Sequence, residues 1–138
     1  MLRVSAIKRR DGFTLDAQFE APTPGVVALF GRSGCGKTTL INLISGLLAP
    51  DEGTIQLNDT TLTDTRAGVS VPVEKRRIGY VFQEARLFPH FSVLGNLRYG
   101  FKRNQHHAGL ATPDSRNIGF DEVVDLFGLR RLLDRRFH

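Results

Sequence analysis

Eight consecutive residues constrain this 138-residue chain more than any others: Gly31-Arg-Ser-Gly34-Cys-Gly36-Lys37-Thr38. They follow the apolar run Val26-Val-Ala-Leu-Phe30 and lead into Leu40, Leu43, Ile44 and Leu47 at helical spacing. An uninterrupted apolar run ending in glycine predicts a strand buried on both faces, in a sheet covered by helices. Strand, glycine-rich loop and helix in this order match G-x-x-x-x-G-K-[ST] in full. The glycines let successive backbone N–H groups turn inward on an anion, and the helix start adds its positive end. Lys37 is placed for the β- and γ-phosphates, the Thr38 hydroxyl for Mg²⁺, and Thr39 for a further phosphate contact. The pattern predicts a nucleoside triphosphate site formed by Gly31, Arg32, Ser33, Gly34, Cys35, Gly36, Lys37, Thr38 and Thr39. Cys35 reads as a small residue filling a tight loop rather than as a reactive thiol.

The rest of the chain is organised around this loop. Leu2, Val4 and Ala6 alternate with polar neighbours, and Phe13 to Phe19 alternates again after Asp11-Gly12, which predicts an antiparallel hairpin. Ala21-Pro-Thr-Pro-Gly25 breaks the ladder. The loop's helix should end before Pro50, and Thr54 to Leu57 should form a short strand stopping at Asn58-Asp59. Residues 60–74 read as a surface excursion, and Lys75-Arg76-Arg77 as a solvated patch leading into a second apolar strand, Arg77 to Phe82. Ser92 is placed to cap a short helix with Val93, Leu94 and Leu97; residues 102–117 read as loop. Phe120, Val123, Val124 and Phe127 mark one helical face, Gly128 its C-cap, and Leu129, Leu132 and Leu133 one more turn. Composition fits one globular domain, 41% hydrophobic and 24% charged, with no apolar run near the ~20 residues of a membrane span. A single cysteine excludes a disulfide framework. The net charge of +5 is interspersed with acidic residues, a balance that permits anionic partners without demanding nucleic acid, and no nucleic-acid partner is expected.

The loop by itself is compatible with ATPases, GTPases and small-molecule kinases. A GTPase would place D-x-x-G directly after the second strand and carry N-K-x-D; neither element is found. Instead that strand ends in Gln83, 46 positions after Lys37. With Ser33-Gly-Cys-Gly-Lys-Thr-Thr39, Gly46-Leu47, Pro50-x-x-Gly53 and Leu87-Phe-Pro-His90, the chain resembles the ATP-binding subunits of ABC transporters. Ile41 to Leu47, Pro72 to Phe91, Gly95 to Gly100 and Leu132 to Arg135 are similar to the molybdate-importing branch of that family. Importers of sulfate, iron, spermidine or maltose share much of Leu87 to His90.

The resemblance implies an α/β fold of the P-loop NTPase (ABC ATPase) type. An N-terminal antiparallel β subdomain and loop core would span residues 1–83, and the Gln83 loop with part of a helical subdomain residues 84–138. It implies ATP and Mg²⁺ as cofactors, with Gln83 touching the metal and the attacking water beside the catalytic Lys37. Phe13 is the residue implied to stack on adenine; its other reading is a core position of the hairpin. Arg86 to Phe91 would line the groove for a membrane subunit, with Phe88 and Phe91 as apolar anchors or, alternatively, as internal packing. The implied partners are a second copy, a transmembrane permease and, indirectly, a periplasmic molybdate-binding protein, on the cytoplasmic face of a bacterial inner membrane. A Leu-Ser-Gly-Gly-Gln signature, an apolar strand ending in Asp-Glu, and a switch histidine are not found, and neither Asp121 to Asp125 nor His90, His106, His107 or His138 replaces them. The resemblance therefore implies a truncated, N-terminal part of such a subunit, binding ATP weakly without hydrolysing it and exposing a sheet edge. The alternatives are an ATPase subunit for another solute and a nucleotide-binding module without hydrolysis.

Overall fold

The computed structural model describes residues 1–84, 86–105 and 119–136, and in the second stretch the side chains as far as Lys102. Two compact units divide the chain, Met1–Val81 and Phe82–His138. In the first, β1 (Leu2–Arg10) and β2 (Phe13–Ala21) form the expected hairpin, paired from Leu2↔Ala21 to Arg10↔Phe13. Asp11-Gly12 supplies the two-residue turn, with Gly12 at φ +74°, a conformation that glycine takes without strain. Strands β3 (Glu52–Leu57), β4 (Thr60–Asp64) and β5 (Val69–Ser70) complete an antiparallel sheet of order β2-β1-β3-β4-β5. Period-two alternation turns Val4, Ala6, Leu15, Ile55 and Leu62 to one face, where they meet Leu40 and Leu43 of helix α1 (Lys37–Ser45). Leu43 and Ile55 are 0% exposed. Burying each of these side chains is worth about 1.5–3 kcal/mol. The opposite face carries Arg3, Ser5, Gln18, Glu20, Thr54 and Gln56 around a shallow depression.

Three kinds of expectation for this unit are corrected. Residues 60–74 are not an excursion: β4 and β5 lie within them, and the neighbours Leu62 and Thr63 are both buried where the register shifts opposite Ile55 and Gln56. Val26–Phe30 is not a buried strand. Val26 is 99% and Phe30 92% exposed, since no described strand lies beside this segment to take its N–H and C=O groups. The same holds for residues 77–82, which join no ladder, Val81 being 95% exposed. Apolar runs signal burial, but a ladder needs a partner strand that the run does not encode.

The third correction is Arg76, which is 5% exposed and not part of a solvated patch. Its guanidinium uses all five donors. Nε donates to Val71 O at 2.8 Å, Nη1 to Leu43 O and Ile44 O at 3.2 and 3.0 Å, and Nη2 to Leu62 O and Thr63 Oγ1 at 3.4 and 2.8 Å. Leu43 and Ile44 belong to the last turn of α1, where carbonyls lack intrahelical partners. That turn has no basic residue of its own, so Arg76 supplies the cation that the negative helix end favours. Desolvation lowers the Arg76 pKa from its ordinary value, and the ring of acceptors offsets that cost. Helix α1 then ends at Gly46, φ +83°, whose N–H donates to Leu43 O at 3.2 Å.

In the second unit, α2 (Val93–Gln105) is longer than expected: 102–105 are helical, and the remainder of the anticipated loop lies outside the described residues. Its N-terminal donors are satisfied from two directions. Ser92 Oγ accepts from Gly95 N–H at 3.2 Å, while Val93 and Leu94 donate to Arg135 O and Leu133 O at 2.9 and 2.8 Å. The Leu132 to Arg135 string thus folds back to cap α2. Helix α3 (Phe120–Leu126) forms with Val124 as its buried residue; Phe127 lies past its end and is exposed. Gly128 follows with φ +63°, and Arg130–Leu132 makes a 3₁₀ turn.

Two outcomes follow for the first unit. A Cβ at Gly46 would fall 2.5 Å from Arg76 Nε, on a group held by five bonds and unable to yield cheaply. Gly46→Ala is expected to lower unfolding free energy by about 2 kcal/mol or more in a denaturant titration, left-handed strain included. Asp51 accepts from Arg9 N–H and Lys8 Nζ, both at 2.7 Å, which lowers its pKa below the ordinary 3.8. A lowered carboxylate pKa stabilises fully above that ordinary value and is lost as pH falls through the folded value. The acid limb of stability measured against pH should therefore flatten in Asp51→Asn.

Candidate functional site

The loop of residues 31–36 leads into α1, whose first helical bond is Leu40 N–H to Gly36 O at 2.9 Å. The N–H groups of Lys37, Thr38 and Thr39 precede it and have no intrahelical acceptor. Gly36 occupies the N-cap with φ +97°, and no side chain caps this end. An uncapped helix start facing a glycine loop is a ready anion site. Gly34, φ +80°, stands with open space where a Cβ would be. Cys35 N–H donates to Arg32 O at 3.3 Å, turning the loop back, and a Cβ on Gly31 would fall 2.7 Å from Cys35 Sγ.

Lys37 reaches back across this turn. Its Nζ donates to Gly31 O at 2.8 Å and Arg32 O at 2.9 Å, with Cys35 Sγ at 3.7 Å. The cation is thus centred on the loop rather than extended into solvent. Arg32, Ser33 and Thr38 are exposed and Thr39 is half-buried, so the hydroxyls of Ser33 and Thr38 remain accessible around it. A magnesium ion takes hard oxygen ligands and keeps several waters, and the Thr38 hydroxyl at the helix start fits that donor chemistry. Among the described residues, no three His, Cys, Asp or Glu side chains form a metal-binding group.

Phe13 stands against this loop and against the core together. It packs at the margin of the sheet–α1 core, and a Cβ on Gly36 would fall 2.7 Å from its Cζ and 3.1 Å from Leu15 Cδ1. The hairpin therefore sets the wall behind the N-terminus of α1. In the second unit, Gln83 is exposed, and Phe88, His90, Phe91 and Tyr99 form an aromatic cluster. Asn96 ties this cluster's loop, accepting from Phe88 N–H at 2.8 Å and donating to Phe88 O at 3.2 Å. His106, His107 and His138 lie outside the described residues.

Sequence reasoning missed Arg76, Asn42 and Tyr80. Tyr80 Oη donates to Asn42 Oδ1 at 2.9 Å, so residues 76–80 meet the last turn of α1 twice. One signal was readable: α1 lacks a basic residue near its C-terminus, so a cation was needed from elsewhere.

The contact between Phe13 and Gly36 gives a direct check. Gly36→Ala should cost about 1–3 kcal/mol of stability through its backbone and the ring. In a double-mutant cycle with Phe13→Ala, part of that loss should vanish, a coupling of at least about 0.5 kcal/mol. Strict additivity in denaturant unfolding would contradict the ring's placement.

The chain is similar to known proteins in sequence and in fold. The protein named Molybdenum import ATP-binding protein ModC of Haemophilus influenzae is 49% identical over 135 residues, covering 98% of this chain and 35% of that protein. The protein of the same name from Paramagnetospirillum magneticum is 48% identical over 136 residues, covering 99% of this chain and 35% of its own length. The chain thus spans about a third of the length of these curated relatives. Among solved structures, an ATP-binding subunit of an ABC transporter matches with TM-score 0.70 at 25% identity, over 98% of this chain and 53% of that one. The dimeric post-hydrolysis ATP-binding cassette MJ0796 matches with TM-score 0.70 at 22% identity, over 99% of this chain and 61% of that one, a likeness of fold. The family model described as ABC transporter matches residues 15–138. With the glycine loop, α1 and Gln83 all inside that match, the chain belongs to the ABC transporter family.

Proposed function

We propose that this chain carries the ATP-binding loop of an ABC importer's ATPase subunit, and that molybdate is the imported solute. The observation that carries the reading is Lys37 folded over an uncapped helix start, its ammonium held by the neutral acceptors Gly31 O, Arg32 O and Cys35 Sγ. Such neutral acceptors are modest partners for a cation. Phosphate oxygens add the attraction of an opposite full charge to the hydrogen bond, so the ammonium exchanges one set for the other when a polyphosphate enters. The N–H groups of Lys37, Thr38 and Thr39 meet the same anion with the positive end of α1. Gly31, Arg32, Ser33, Gly34, Cys35 and Gly36 supply the backbone cradle.

Thr38 Oγ1 would hold Mg²⁺ together with Gln83, and the ion would neutralise charge developing on the transferred phosphoryl group. Phe13, adjacent to Gly36, is the proposed adenine neighbour; an aromatic face at that position adds apolar contact without competing for phosphate. The molybdate assignment rests on the names of the relatives that match nearly all of this chain. A second ATP-binding subunit, a membrane permease and a periplasmic molybdate-binding protein are the proposed partners, with the subunit peripheral to the cytoplasmic face of the membrane. No helix among the described residues is long and apolar enough to cross a membrane.

The test is calorimetric titration of the protein with Mg-ATP. Lys37→Ala should weaken binding by at least about tenfold, the cost of one or more charge-assisted bonds. Equal affinity in parent and variant would refute the reading.

A further inference from the structure

Arg76 is a buried cation whose five hydrogen bonds go to carbonyl and hydroxyl oxygens, and these bonds join three pieces of the first unit. It holds the last turn of α1 through Leu43 O and Ile44 O, strand β4 through Leu62 O and Thr63 Oγ1, and the chain before it through Val71 O. The next residues, 77–81, have no ladder to define their position. Arg76, Ile78 packed against the core, and Tyr80 Oη on Asn42 Oδ1 are among the contacts that hold them. Gln83 follows this segment after one further residue, Phe82.

We propose that Arg76 is a positioning residue for the nucleotide reaction: it fixes residues 77–81 against the phosphate-loop helix and so sets where Gln83 begins. The inference rests on the ATPase reading above and deepens it. An arginine suits the task because its planar fork can satisfy several acceptors in fixed directions, which a flexible ammonium cannot do. Its place at the C-terminal end of α1 also separates two effects. Lys37 stands at the other end of a nine-residue helix, roughly 13 Å away by helical rise. Losing Arg76 should disturb the segment leading to Gln83 more than the cradle that binds phosphate.

The experiment uses the intact ATPase with its partner subunits and compares Arg76→Met with Ile55→Val, a core change that leaves every Arg76 acceptor in place. Nucleotide affinity is read with a fluorescent ATP analogue, and kcat and KM with Mg-ATP, at a temperature where circular dichroism shows each variant folded. Arg76→Met is expected to lower kcat about tenfold or more while affinity stays within about threefold, as misplacement of a positioned group would. Ile55→Val should leave kcat at the parental level. If Arg76→Met does not fold, Arg76→Lys decides: retained charge without the fork should still lower kcat about threefold. Parental kcat in the folded arginine variant, or equal losses of affinity and kcat, would overturn the proposal. Lys37→Ala in the same preparation separates the two levels. If it keeps parental turnover, the ATPase reading fails and takes this proposal with it. If it is inactive while the folded arginine variant turns over normally, only the role of Arg76 fails.

Discussion

Helix α1 carries unsatisfied backbone groups at both ends, and the first unit is arranged around how each end is met. At the N-terminus the donors are left without a side-chain cap, facing a glycine loop over which Lys37 is folded. At the C-terminus the acceptors are met by Arg76, a buried cation drawn from a segment more than thirty residues later in sequence. The asymmetry follows from the dipole: the positive end is kept available for an anion, and the negative end is neutralised within the protein. The sheet contributes the apolar floor, with Ile55, Val4 and Leu62 under Leu40 and Leu43, and Phe13 as the wall behind Gly36. Fold and candidate site are therefore one construction seen from two ends of a helix.

Much of this was legible from residues alone. The β1–β2 hairpin followed from alternation and Asp11-Gly12, and α1 from its apolar spacing, because those signals are local and complete in themselves. The glycine loop was legible for the same reason. What failed depended on distant partners. Val26–Phe30 and Arg77–Phe82 have the composition of buried strands, yet pairing is a property of two segments and cannot be read from one. Leu62 and Thr63 were missed because β4 is short and its polar threonines mask a single buried leucine. Arg76 sits in a tribasic run where Lys75 and Arg77 are exposed, so composition pointed outward while five acceptors, four of them on α1 and β4, pulled one member inward.

The second unit shows a related economy of capping. The start of α2 is closed by Ser92 and by carbonyls of Leu133 and Arg135, so a string near the end of the described residues serves the beginning of a helix forty residues earlier. Tyr99 of α2 then meets Phe88, whose loop is held by Asn96 one turn away. Here too the apolar residues form the cluster, while the backbone groups at a helix end decide which chain segment must lie beside it.

The central claim is that the open end of α1 and the loop before it form an anion cradle closed by Lys37. Amide hydrogen exchange with and without Mg-ATP tests this most directly, because it reads the N–H groups themselves. Slowed exchange concentrated at Gly34 to Thr39, with the protection in Lys37→Ala appearing only at correspondingly higher Mg-ATP, is the predicted result. Unchanged exchange at those amides with saturating Mg-ATP, or protection confined to other residues, would contradict it.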